Sequence, residues 1–272
     1  MEIVTINLSE LYGIEGNATL KCFLHKTTGE MAPYNQNLPA MIVVPGGGYG
    51  FVSEREGDPI AVDFFNRHYN AYVLTYSIAP DYRYPTALTQ LAAAVDWVKS
   101  NAQEHNTDAS KVYAVGFSAG GHLVASLANF CDNLPVPELK GKRLDARPAA
   151  VVLSYPVIYV DSHLGSFKNL FGTEDLTRPE VQSQSLERSV TVKNPPTFIW
   201  TTAKDTCVNP MATVIYTAEL LKNKVRVESH IFADGEHGAA CCDERTGLYA
   251  HQILPEAKSW MYFADKFLKG LK

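Results

Sequence analysis

Five residues near the middle of the chain, Gly116-Phe117-Ser118-Ala119-Gly120, set a serine between two glycines, each two positions away. A serine hydroxyl becomes a useful nucleophile only when a base takes its proton and the backbone holds it out. The glycines answer the second need. On a tight strand-to-helix turn, a side chain two residues to either side of the serine would collide with the chain. The apolar run Lys111 to Phe117 reads as the strand and Leu123 to Phe130 as the helix. A helix starting there points its positive dipole end and free N–H groups at negative charge developing on a substrate. The spacing points to attack by Ser118 on a carbonyl carbon.

Pro45-Gly46-Gly47-Gly48-Tyr49 is the second motif, upstream of the serine and directly after the apolar run Met41 to Val44. Consecutive glycines let backbone N–H groups approach a ligand closely, as stabilisation of an oxyanion requires. A dinucleotide-binding loop of the form G-x-G-x-x-G would need glycine at position 51, where Phe51 stands, so that reading fails.

An acid and a base follow in chain order. Asp205 lies just past the strand expected at Thr197 to Thr202, and His237 lies in the glycine-flanked loop Ala233 to Gly238 after the strand expected at Val225 to Phe232. Nucleophile, acid and base in that order suit a parallel sheet whose strand ends open on one side. Asp234, Glu236 and Asp243 compete for the acid role, but they lie so close to His237 in sequence that reaching its Nδ1 is awkward. The other seven histidines are read as structural or solvated. His122, one helical turn past Ser118, is expected to pack or cap locally. Cys207, Cys241 and Cys242 are expected to pack rather than react.

The elements that must position these groups alternate as strand and helix, the sequence form of a mostly parallel, doubly wound sheet. Ala71 to Tyr76 and Ala149 to Tyr155 read as further strands. After Tyr84-Pro85, residues Leu88, Leu91, Ala92, Val95 and Val98 mark one face of a long helix. Pro210 suits the first turn of a helix reaching about Lys224. Pro255 to Leu271 reads as a C-terminal amphipathic helix with Trp260, Phe263 and Phe267 at helical spacing. A weakly periodic insertion at about 158–194 is too long for an ordinary connection and reads as a lid or binding loop. Residues 1–272 are read as one domain with that insertion.

Of the 272 residues, 46% are hydrophobic and 19% charged, a composition that supports a large core. A net charge of −5 without any Lys/Arg run argues against nucleic acid or an anionic membrane surface as partner. Met1 to Val4 do not open a signal-peptide pattern, and nowhere do 18 apolar residues run together. Five cysteines, an odd number without a CxxC pair, fit reduced thiols and a cytoplasmic location.

Four blocks carry a resemblance: Pro-Gly-Gly-Gly-Tyr at 45–49, Gly-Phe-Ser-Ala-Gly-Gly-His-Leu at 116–123, Trp200 to Pro210, and His-Ile-Phe-Ala-Asp-Gly-Glu-His-Gly at 230–238. In this order the chain resembles bacterial carboxylesterases, small α/β hydrolases related to hormone-sensitive lipase and to acetyl-xylan and feruloyl esterases, over roughly residues 20–270. The resemblance implies the α/β-hydrolase fold, with Ser118, Asp205 and His237 as catalytic triad and the N–H groups of Gly47, Gly48 and Ala119 as oxyanion hole. It further implies hydrolysis of short-acyl, acetyl-type esters, acetylated sugars included, through an acyl-enzyme with no metal or organic cofactor. The partner is then a small-molecule ester, and a homo-oligomer is compatible with the sequence. One departure is Pro45, where lipase relatives carry histidine before the glycines; backbone donors do not depend on that side chain. A prolyl-oligopeptidase-type peptidase shares the triad order but needs a large extra domain for which this chain has no room. A non-catalytic receptor on the same fold typically lacks a triad residue, and all three are present here.

Overall fold

The computed structural model describes residues 1–247 and 249–271. Eight strands form one sheet: β1 (Glu2–Asn7), β2 (Thr19–Leu24), β3 (Leu38–Val44), β4 (Asn70–Thr75), β5 (Thr107–Phe117), β6 (Ala150–Ser154), β7 (Thr197–Thr202) and β8 (Val227–Phe232). Their spatial order is β1-β2-β4-β3-β5-β6-β7-β8. From β4 to β8 every pairing is parallel, whereas β2 runs antiparallel to both β1 and β4. β8 closes one edge and pairs only with β7, its residues half-buried or exposed.

The central strands are apolar on both sides, and alternate residues go to different cores. Ala40, Ile42, Val44, Ala114, Val151, Leu153 and Ile199 join one core with helices α1 (Leu8–Tyr12), α3 (Thr86–Ser100), α4 (Ser118–Phe130) and α7 (Met211–Lys222). Met41, Val43, Val115, Phe117, Val152, Phe198 and Trp200 join the other with α2 (Asp58–Asn66) and α8 (Trp260–Lys269). Burying each of these large side chains contributes on the order of 2 kcal/mol.

Several expected boundaries shift. β5 begins at Thr107 instead of Lys111, α4 begins at Ser118 itself, and the C-terminal helix is shorter than expected because Ala257–Ser259 forms a 3₁₀ turn ahead of α8. α3 was expected to bury one face, yet Thr86 to Val98 are all buried. Its Asp96 tolerates this because it accepts hydrogen bonds from Tyr12 Oη (2.8 Å), Lys142 Nζ (3.1 Å) and the Asp145 amide (2.8 Å). The insertion contributes α5 (Leu164–Phe171) and α6 (Pro179–Gln182) and builds a small core from Val157, Val160, Phe167, Val181 and Val208. Tyr84 ties it down, stacking on Phe171 and donating its amide to the Leu170 carbonyl at 2.8 Å. No helix among the described residues is long and apolar enough to cross a membrane.

Candidate active site

Parallel register brings five strand ends to one edge. Val44 lies opposite Gly116, Phe117 opposite Ser154, Ser154 opposite Trp200, and Thr202 opposite Phe232. The loops leaving β3, β5, β7 and β8 therefore open side by side, and they carry Gly47, Ser118, Asp205 and His237.

Ser118 makes the turn from β5 into α4 with φ of 51°, a left-handed conformation that a serine adopts only under constraint. The constraint is the close approach of strand, turn and helix. A Cβ on Gly116 would overlap the Gly120 carbonyl, and one on Gly120 would overlap the carbonyl oxygens of Val44 and Pro45. Ser118 Oγ lies 2.8 Å from His237 Nε2, and His237 Nδ1 lies 2.7 Å from Asp205 Oδ2. The acid's other oxygen accepts the amides of Cys207 and Val208, each at 2.9 Å, so the carboxylate is held before the histidine arrives. Because Asp205 can only accept, the neutral imidazole carries its hydrogen on Nδ1 and turns the Nε2 lone pair to the serine. The competing carboxylates are engaged elsewhere: Asp234 with Lys204, Glu236 with His251, and Asp243 with Arg245 and Lys258.

The glycine loop faces the same space. Among the described residues no protein acceptor takes the amides of Gly47 or Gly48, and Ala119 sits in the first turn of α4, where helix amides have no internal partner. Gly47 and Gly48 border a cavity of about 660 Å³ whose wall also includes Phe51, Ser118, His163 and His237.

Behind the loop stands Glu56, which the sequence reading did not single out. It is buried, accepts the Gly46 amide at 2.8 Å through Oε2 and accepts the Tyr155 hydroxyl at 2.7 Å through Oε1. Tyr155 Oη accepts the Ala240 amide at 3.0 Å, and its ring meets His237 edge-on at 5.0 Å. Arg55 donates to the carbonyls of Gly238 (3.1 Å) and Thr246 (2.8 Å). The pair Arg55-Glu56 thus braces the glycine loop and the histidine loop together. Its only sequence sign is a charged pair between a glycine-rich loop and a helix, which reads equally well as solvated surface.

His122 is buried, as a locally packed residue should be. Its Nε2–H donates to the Gln184 carbonyl at 3.0 Å, leaving Nδ1 to accept the Tyr49 hydroxyl at 2.8 Å. Burial pushes its pKa down to about 4. One expectation needs correcting. Cys207 does not pack inside; it is exposed on the cavity wall, although burial of its thiol and the nearby Asp205 charge raise its pKa and keep it protonated. His163 has the structural part expected of it, capping α5 by accepting the Ser166 amide at 3.1 Å, and it also lines the cavity. Among the described residues no group of His, Cys, Asp and Glu is arranged to hold a metal ion.

The profile of the BD-FAE family matches residues 31–220, a span holding the glycine loop, Ser118 and Asp205. The chain belongs to the BD-FAE family. As a BD-FAE protein it is 34% identical over 211 residues to endo-1,4-beta-xylanase B of Butyrivibrio fibrisolvens, covering 75% of this chain and 33% of that protein. It is 27% identical over 263 residues to an acetylxylan esterase of Xylanibacter ruminicola, covering 94% and 50%. This BD-FAE chain therefore spans a third to a half of the length of these two relatives. Among solved structures, it superposes on an acetyl ester-xyloside bifunctional hydrolase from Caldicellulosiruptor lactoaceticus with a TM-score of 0.80 at 29% identity, covering 94% of this chain and 89% of that one. A carboxylesterase from Lactobacillus plantarum WCFS1 gives 0.82 at 28% identity, covering 98% and 96%. The fold of this BD-FAE member is that of the α/β hydrolases, as the four sequence blocks implied.

Proposed function

We propose that this BD-FAE protein is a serine carboxylesterase that hydrolyses short-acyl esters, acetylated sugars among them, through a covalent acyl-enzyme. The observation carrying this reading is the continuous chain Ser118–His237–Asp205, at 2.8 and 2.7 Å, opening on a cavity bordered by free glycine-loop amides. His237 Nε2 takes the Ser118 proton while Oγ bonds to the ester carbonyl carbon, and the carbonyl π electrons move onto oxygen. The amides of Gly47, Gly48 and Ala119 hold that oxyanion, each such donor being worth about 3–4 kcal/mol in related chemistry. Re-forming the carbonyl breaks the ester C–O bond, and the departing alkoxide takes the proton from His237. Water then attacks the acyl-enzyme by the same route, the acid leaves, and Ser118 regains its proton.

The short-acyl preference is supported by the insertion, whose α-helices are only eight and four residues long and whose buried apolar side chains are divided between a small core of its own and the main core beneath it. Two of the similar proteins, an acetylxylan esterase and an acetyl ester-xyloside bifunctional hydrolase, carry acetyl esters in their names, which supports the acetyl part of the reading. Two cores on one continuous sheet support a single domain, and five free cysteines support a reducing, cytoplasmic location. The test is a panel of 4-nitrophenyl esters from acetyl to decanoyl beside acetylated xylosides. Acetyl or butyryl esters should give the highest kcat/KM, and better turnover of the decanoyl ester would overturn the acyl-length reading. Retained activity in Ser118→Ala, purified free of host esterases, would overturn the whole assignment.

A further inference from the structure

His163 stands at the entrance of α5, on the wall of the cavity that holds His237 and Gly48. Its two ring nitrogens are not equivalent. Nδ1 accepts the backbone N–H of Ser166 at 3.1 Å, capping the helix, and Ser166 Oγ lies 2.8 Å from the same atom. A nitrogen that accepts cannot carry the hydrogen, so the neutral ring bears it on Nε2. Burial, with His237 nearby, lowers the ring's pKa and keeps this neutral tautomer at neutral pH. Nε2 itself has no partner among the described residues and is not sealed from solvent. The cap therefore serves a second purpose: it leaves one N–H donor unpaired on a residue of the cavity wall.

The position of that donor matters for the reaction. His237 hands its proton to the leaving oxygen, so the alcohol portion departs on the His237 side. His163 borders the same cavity as Ser118 and His237, with its ring beside Gly48, and a short acyl group such as acetyl has no hydroxyl of its own to offer it. The alcohol of an alkyl ester can offer this N–H nothing and strips away the water it would otherwise bond, whereas a hydroxyl beside the ester accepts it. We propose that His163 Nε2–H binds a hydroxyl oxygen adjacent to the ester on the alcohol portion, making the enzyme selective for partly acylated polyols. This specificity role rests on the esterase reading of Ser118 and deepens it.

A matched pair of esters tests it. 2-Hydroxyethyl acetate and propyl acetate differ by one hydroxyl in place of a methyl group. The wild-type ratio of their kcat/KM values should favour the hydroxyl ester by about 3- to 10-fold, the worth of one neutral hydrogen bond. In His163→Asn the side-chain oxygen can still cap Ser166, but nothing reaches the Nε2 position. The ratio should then fall toward one, and His163→Phe, which keeps a ring without a donor, should lower it as well. A loss shared equally by both esters would make His163 a structural support, and an unchanged ratio would mean that the donor is unused; either result overturns the proposal. Acetylated xylosides form a separate arm. If the pair behaves as expected and the xylosides are not turned over, the sugar reading falls and the role of His163 stands.

Discussion

Asp205, the acid of the proposed triad, illustrates how much of such a residue's work is done by its own hydrogen bonds. Its side chain has no exposed surface, and it takes three N–H donors, two from the backbone just after it and one from His237. An amide at this position would present N–H where an acceptor is needed and would select the other histidine tautomer. Asp205→Asn should therefore leave the fold intact and lower kcat by roughly 10³–10⁴. Asp234→Asn and Glu236→Gln remove only exposed ion pairs and should stay within about twofold of wild type; steady-state kinetics on one acetyl ester compares all three. Activity lost in Asp234→Asn or Glu236→Gln but kept in Asp205→Asn would mean the wrong carboxylate was chosen. Ser118, Asp205 and His237 could be picked out in the sequence because each follows an apolar strand. Glu56 and His163 could not, because their meaning comes from distant partners. Glu56 bonds to a tyrosine 99 residues away, and nothing beside it in the chain announces that contact.

Among the elements, the segment between β3 and α2 has the most to hold. Glu56 fixes the Gly46 amide and, through Tyr155, the Ala240 amide, so one carboxylate sets the distance between the glycine loop and the histidine loop. Glutamine has the same shape but only one acceptor oxygen, and it cannot satisfy both donors. Glu56→Gln should lower kcat by about 10- to 100-fold with KM little changed, since misplaced oxyanion donors are missed chiefly in the transition state. Equal changes in kcat and KM, or a collapsed thermal transition, would show a general packing defect instead. The strand-and-helix alternation was legible from about residue 41 onward, where buried parallel strands are plain apolar runs. The antiparallel strands β1 and β2 were not assigned, because β1 is a largely exposed edge without such a run. Helix α2 was missed as well, having only three buried residues, Ile60, Ala61 and Phe64.

At the scale of the whole molecule, the buried histidines and one ion-paired aspartate bear on how the fold answers to acid. Burial pushes His122 down to about 4, below the ordinary histidine value, so the unfolded chain binds that proton more readily than the folded one. Its contribution, on the order of 3 kcal/mol, is complete above about pH 6.5 and is lost as pH falls toward 4. His25, His105 and His163, also lowered by burial, act in the same direction. Asp243 works in a lower window. Burial alone would raise its pKa, but hydrogen bonds from Arg245 and Lys258 hold it at about 2, so its contribution is present above about pH 3.8 and fades as pH falls toward 2. Thermal denaturation against pH should show both windows. His122→Gln should make the first shallower, with the other lowered histidines keeping part of it, and leave the second, and an unchanged slope between pH 6.5 and 4 would contradict the assignment.

The same whole-molecule view gives the edge strand β8 a particular weight. Bonded on one side only and half-exposed, β8 opens at a lower free energy than the β3–β5 centre, yet its loop carries the proposed base. When that strand frays, His237 leaves Ser118 while the rest of the sheet stays paired. Turnover is then a gauge of one margin of the protein, and it will fade in mild urea or at moderate heat while most backbone amides are still protected from exchange.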